Sequence, residues 1–261
     1  MADSEWKDVL SSSEGKITED KEGIDTETCN NRGVSYLNNR QFDKAIKEFN
    51  KAVKFNDQYA PGYFNLGVCY EALERYDDAL VNYEKAYNLD KSQPISKMRM
   101  DVIYHRKAVK SNPRNVDAYL RLGGVLKALN ELDEAISAFE EAIKLKPDML
   151  YPYLGLGMSF HSKGWYDKAL EIYKIALQKD PSFADVYGNM GVTYFELAKY
   201  DEGIEVCKKA LELDPRNPVF HFNLGSCYEG KGMIAQAKDE YKRALELDPL
   251  FDAAKNALSA M

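Results

Sequence analysis

Asparagine recurs at Asn31, Asn65, Asn189 and Asn223, and within each of the two pairs the spacing is 34 residues. Arg121 and Gly155 occupy the same slot between them. A carboxamide offers two donors and an acceptor, so it can bond to the backbone of an extended peptide whatever that peptide's sequence. Arg121 and Lys127 add a cationic spot suited to an acidic side chain. This is chemistry of recognition. The chain has no Gly-rich phosphate loop, no H-E-x-x-H and no nucleophile elbow, so it is read as non-catalytic. Cys29, Cys69, Cys207 and Cys227 show no C-x-x-C spacing and read as small buried hydrophobes. His105, His161 and His221 have no ligand partner at i+3 or i+4. No metal and no cofactor is expected.

The elements that carry these side chains repeat. Pro113, Pro147, Pro181, Pro215 and Pro249 are 34 residues apart. Glycine keeps the period at Gly33 and Gly67, then at Gly123, Gly157, Gly191 and Gly225. Alanine keeps it at Ala45, Ala79, Ala135, Ala169 and Ala237, with Gly203 once in that slot, and again from Ala52 to Ala244. Apolar residues at i, i+3, i+4 and i+7 give each unit two amphipathic helices. The prolines fall at or near the unit boundaries, where a missing N–H does no harm. Gly at the eighth position and Ala at the twentieth let the two helices approach closely. Aromatics at positions 11, 17 and 24 fill the space between adjacent units.

A unit such as Tyr119, Leu122, Gly123, Leu126, Ala135, Phe139 and Pro147 resembles the tetratricopeptide repeat (TPR), with its pattern W-x2-L-G-x2-Y…A-x3-F…P over 34 residues. The resemblance covers residues 26 to 251 and departs mildly, with Tyr, His or Cys for Trp and Gly203 for one Ala. It implies an all-α fold: a right-handed α-solenoid superhelix of about six helix-turn-helix units, with one truncated unit in the middle. It also implies that the first helices line a concave groove, exposing roughly positions 2, 5, 6, 9, 12 and 13. The asparagine slot is position 6, and it resembles the asparagine ladder of some peptide-binding members of the family. Phe64, Val68, Leu120, Leu154, Met158, Val192, Phe195 and Phe222 would line the groove beside Asn31, Asn65, Asn189, Asn223, Arg121 and Lys127. Such a lining suits an extended or helical peptide segment. The family's clamp for chaperone C-termini needs Lys and Asn where this chain has Asn30 and Val34, so that ligand is not expected.

From Gly67 to Gly123 is 56 residues, which leaves one unit 12 residues short. The expected organisation is an acidic, disordered tail over 1–25 and two repeats over 26–93. A truncated basic repeat over 94–115 follows, then four repeats over 116–251 and a short cap over 252–261. The truncated unit reads as a single helix that could serve as a joint. It carries Lys97, Arg99, Arg106, Lys107, Lys110 and Arg114 against Asp101. In the tail, Trp6, Val9 and Leu10 form a small apolar cluster among eight acids and three bases. A net charge of −7 disfavours nucleic acid as a partner. No apolar run is long enough for a membrane span, and no secretory signal is seen, so direct membrane insertion is not expected and the cytoplasm is the expected location. The expected function is a protein-interaction module with a protein or peptide ligand in its groove. Two alternatives remain open. One is a self-associating scaffold, forming homo-oligomers around a cellular complex or a membrane-bound organelle. The other is the substrate-recognition subunit of a larger enzyme.

Overall fold

The computed structural model describes residues 25–261, so the Trp6, Val9 and Leu10 cluster lies outside the described residues. Every regular element among the described residues is an α-helix. The chain divides into two compact units, one ending at Pro113 and one beginning at Arg114. In the first, α1 (Thr26–Asn38) pairs with α2 (Phe42–Phe55), α3 (Ala60–Ala72) pairs with α4 (Tyr76–Leu89), and the longer α5 (Ile95–Ser111) packs on α4. The second unit holds four pairs: α6 (Val116–Ala128) with α7 (Leu132–Leu145), α8 (Leu150–Ser162) with α9 (Tyr166–Lys179), α10 (Ala184–Glu196) with α11 (Tyr200–Leu213), and α12 (Pro218–Gly230) with α13 (Ile234–Leu247). The short α14 (Asp252–Ser259) packs on α13 with Ala254 fully buried. This is the all-α stack of helix pairs that the period predicts.

Each first helix ends the same way. The residue at position 15 of the unit turns left-handed: Arg40, Glu74, Asn130, Gly164, Ala198 and Gly232, with φ between 54° and 80°. Its N–H and the next one then bond back to the helix's last carbonyls. Arg40 N–H donates to Leu37 O and Gln41 N–H to Tyr36 O, both at 2.9 Å. The same two bonds recur at each of the six turns. This pattern satisfies carbonyls that a helix end leaves open. Starts are capped more locally: Asn115 Oδ1 accepts from Ala118 N–H, and Asn217 Oδ1 from Val219 N–H, both at 3.0 Å.

The two helices of a pair touch where a ring meets bare backbone. A Cβ placed on Gly33, Gly67, Gly123, Gly157 or Gly225 would come within 2.2–2.8 Å of the ring of Phe49, Tyr83, Phe139, Tyr173 or Tyr241. The ring is at position 24 and the glycine at position 8, so both recurrences have one cause. One pair solves the contact differently. There the position-24 residue is Cys207, whose Sγ lies against Gly191. The smaller residue makes room for Cys227 from the next first helix, and its Sγ would be 2.7 Å from a Cβ at Gly203. That sulfur explains why glycine stands at 203 where the other units have alanine. The Cys207 thiol lies beside Cys227, and this neighbour together with burial holds its pKa well above the ordinary thiol value. The Cys227 thiol in turn points at Gly191 O, 3.7 Å away.

In the first unit, α5 is held by charge. Glu71 of α3 keeps only 11% of its side chain exposed, and Arg106 donates to its Oε1 at 2.9 Å with Arg99 at 3.7 Å. Tyr83 OH donates to Oε2 at 2.7 Å. Lys107 pairs with Asp77 of α4. Three of the six bases counted in the truncated unit are therefore engaged inside the first unit rather than presented as an open basic patch.

Within each unit successive first helices also touch one another: α1 with α3, and α6, α8, α10 and α12 in series. No two successive second helices pack to that extent. The first helices of the second unit thus share one continuous face on the inner side of that stack.

Two substitutions test this packing. Gly203→Ala should destabilise the chain by about 1–3 kcal/mol through overpacking against Cys227. Adding Cys227→Ala should return most of that loss, as read from denaturant midpoints of the single and double variants. Ala198→Gly should raise stability by about 0.5–1 kcal/mol, because glycine adopts the left-handed turn without the Cβ clash.

Candidate functional site

The face shared by the first helices is where the sequence places its recognition residues. Four of these fall in the first unit. Asn31 is exposed and Val68 is half-buried. Phe64 and Asn65 are not on the surface: they are 5% and 2% exposed. Phe64 stacks on Tyr83 with ring centroids 5.6 Å apart. Asn65 Nδ2 donates to Asn30 Oδ1 at 2.9 Å, across 35 residues of sequence.

The second unit carries the rest. Arg121 is exposed, and Leu120, Lys127, Leu154, Met158, Asn189, Val192, Phe195 and Phe222 are half-buried. Asn223 is buried, and its Nδ2 donates to Gly188 O at 3.2 Å, again 35 residues back. Asn189 bonds within its own helix instead, donating to Asp185 O at 2.8 Å. Phe222 turns away from the shared face and packs on Tyr241 and Phe251, with centroids 5.4 and 5.3 Å away.

The expectation of a solvent-facing ladder is therefore corrected. At Asn65 and Asn223, position 6 reaches back to position 5 of the preceding unit. Asn65 and Asn223 hold adjacent units together, as buried polar groups must find partners. Asn31, on the first helix of the first described pair, is exposed.

Sequence reading missed several tied groups on this face. His161 at position 12 lies 3.0 Å from Thr193 Oγ1 on the next first helix, and Thr193 donates onward to Asn189 O. The hydroxyl's one proton is thus taken, so the imidazole is the donor to it through Nδ1–H. Burial lowers the His161 pKa, offset in part by Glu196. Glu229, also at position 12, accepts from Tyr241 OH at 2.6 Å, as Glu71 does from Tyr83.

What remains open on the second unit is a set of half-buried apolar side chains, Leu154, Met158 and Val192, between polar groups of opposite sign. Arg121 and Lys127 stand on α6 and Glu196 on α10, and none of the three has an ion-pair partner among the described residues. Among those residues no group of His, Cys, Asp or Glu could hold a metal ion, and no helix is long and apolar enough to cross a membrane. All four cysteines are free and buried.

Comparison with known proteins agrees with this geometry. A model of the tetratricopeptide repeat matches residues 60–93, 116–149 and 184–217, and related repeat models match 26–59, 157–198 and 206–239. Together they span more than half of the chain. The heat shock protein STI1 of Saccharomyces cerevisiae is 34% identical over 74 residues, which are 28% of this chain and 13% of that protein. The human DnaJ homolog subfamily C member 7 is 30% identical over 111 residues, 42% of this chain and 21% of that one. The chain thus matches only about an eighth to a fifth of these relatives' length. Among solved structures, a thermophilic TPR protein of Thermus thermophilus superposes with a TM-score of 0.53 at 23% identity, covering 77% of this chain and 97% of that one. A tetratricopeptide repeat protein from Parabacteroides merdae gives 0.53 at 15% identity, covering 90% and 97%. These structural likenesses concern the fold. The matched residues are the ones whose packing makes the helix pairs, and the chain belongs to the tetratricopeptide repeat family.

Proposed function

We propose that this chain is a non-catalytic, cytoplasmic protein-interaction module that holds a peptide segment along the inner face of its second unit. One observation carries the reading. The first helices α6, α8, α10 and α12 form one continuous face, and its open part keeps Leu154, Met158 and Val192 only half-buried between charges that have no ion-pair partner among the described residues. Half-covered apolar side chains flanked by polar groups match the way an amphipathic or extended segment is held in a groove. Four free thiols suit a reducing compartment. Stacking of copies through the last repeat is less favoured, because α14 covers α13 there and turns Asp252, Lys255 and Asn256 outward.

Photo-crosslinking in cells tests the proposal. A photo-reactive phenylalanine in place of Met158 should give adducts with a partner, whereas the same group in place of Glu140, exposed on α7, should not. Equal labelling from both sites, or adducts only with further copies of the chain, would sink the groove reading.

The asparagines separate by the role of each amide. Asn65→Ala strands Asn30 and should lower stability by about 1–3 kcal/mol. Asn31→Ala should leave stability unchanged within measurement. Thermal unfolding of the two variants checks this pair of expectations.

A further inference from the structure

Gly124 sits in the middle of α6, where glycine is a poorer helix former than alanine. The other glycines inside described helices have a packing reason. A Cβ at Gly33, Gly62, Gly67, Gly123, Gly155, Gly157, Gly188, Gly191, Gly203, Gly225 or Gly230 would fall within 3.0 Å of a neighbouring side chain. A Cβ at Gly124 would meet nothing within 4 Å. The position is not empty elsewhere. It is position 9 of the unit, held in the other units by Val34, Val68, Met158, Val192 and Ser226, each half-buried. One side chain is thus missing from this row, and no neighbour has moved in to fill its place.

Two cations flank the gap. Arg121 and Lys127 stand three residues before and after Gly124, the spacing that makes neighbours on a helix surface. Helical side chains lean toward the helix N-terminus, so Lys127 leans over the turn that holds Gly124, and Arg121 marks the turn before it. Neither cation has an ion-pair partner among the described residues.

We propose that Gly124, Arg121 and Lys127 form a carboxylate notch that takes an Asp or Glu side chain from within the peptide ligand. The proposal rests on the groove reading above and names the residue class that groove selects. A side-chain carboxylate fits better than a chain terminus. Its one or two methylenes fill the depth left by the missing valine or methionine, and its charge then meets the Lys127 ammonium over the gap, with the Arg121 guanidinium one turn away. Beyond the notch, Leu154 and Met158 of the next first helix ask for bulky apolar residues beside that acid. Charged hydrogen bonds in such a site are stronger than neutral ones.

The test is selection of random peptides displayed on phage against the full chain, followed by affinity measurement on one selected peptide. An acid fixed beside an apolar residue is expected among the selected sequences. Arg121→Ala, Lys127→Ala and replacement of the peptide's acid by its amide should each weaken binding by about tenfold. Acid-to-amide replacement should have little further effect on the Arg121→Ala/Lys127→Ala double variant. Gly124→Leu, which fills the notch, should abolish binding while thermal unfolding is unchanged or raised; Gly124→Ala serves as a second, smaller filling. Selected peptides with no acid preference, or peptides indifferent to Gly124→Leu, would overturn the notch and leave the groove standing. Recovery of no peptide at all would overturn the groove reading and the notch with it.

Discussion

Everything in this structure depends on a ring lying on a glycine. Within a unit the second helix can approach the first only where the first has no side chain, and the ring at position 24 then covers bare backbone. Close-packed interiors tolerate little change of volume at such a contact. Where the ring is lost, at Cys207, the freed space is taken by Cys227 from the next unit, and Gly203 gives up its methyl in turn. Two departures from the repeat pattern, Cys207 and Gly203, are one exchange of volume around Cys227. Each looks arbitrary alone, and together they keep the same density.

That contact is local, and so is most of what holds the units together. Asn65 bonds to Asn30, Asn223 to Gly188, and His161 to Thr193, each joining one first helix to the next. Lys163 pairs with Asp133 and Lys231 with Asp201 across the same kind of joint, on the surface. In such an array stability is close to a sum of unit and neighbour terms. The inner face therefore need not contribute much packing of its own, and side chains such as Met158 and Val192 can stay half-covered at little cost to the fold.

The helix pairs, their turns and their proline boundaries were legible in the sequence, because each is set by residues close together in the chain and repeated six times. The ring-and-glycine contact was legible as two separate periodic signals. The direction of positions 5 and 6 was not. Periodicity reports which side of a helix a residue is on, yet neighbouring units press on part of the side that a single helix would expose. Phe64, Asn65 and Asn223 lie in that pressed strip. The cluster around Glu71 was also out of reach, since Arg99 and Arg106 stand in the one segment that breaks the period. No repeated partner existed from which to infer what they meet.

In a repeat protein, recurrence and recognition pull in opposite directions. A residue that recurs at every unit answers a demand every unit makes, which is stacking. Asparagine at position 6 recurs in four of the six units, and two of the four are engaged in stacking. A ligand is not periodic with the array, so the groups that distinguish one ligand from another must be those that differ between units. Departures that packing explains, such as Gly203, can be set aside. Arg121 and Gly124 are departures that packing leaves unexplained: an exposed cation in the asparagine slot, and a gap in the row of half-buried side chains. Specificity in this chain is therefore to be sought on α6, where these two departures stand three residues apart.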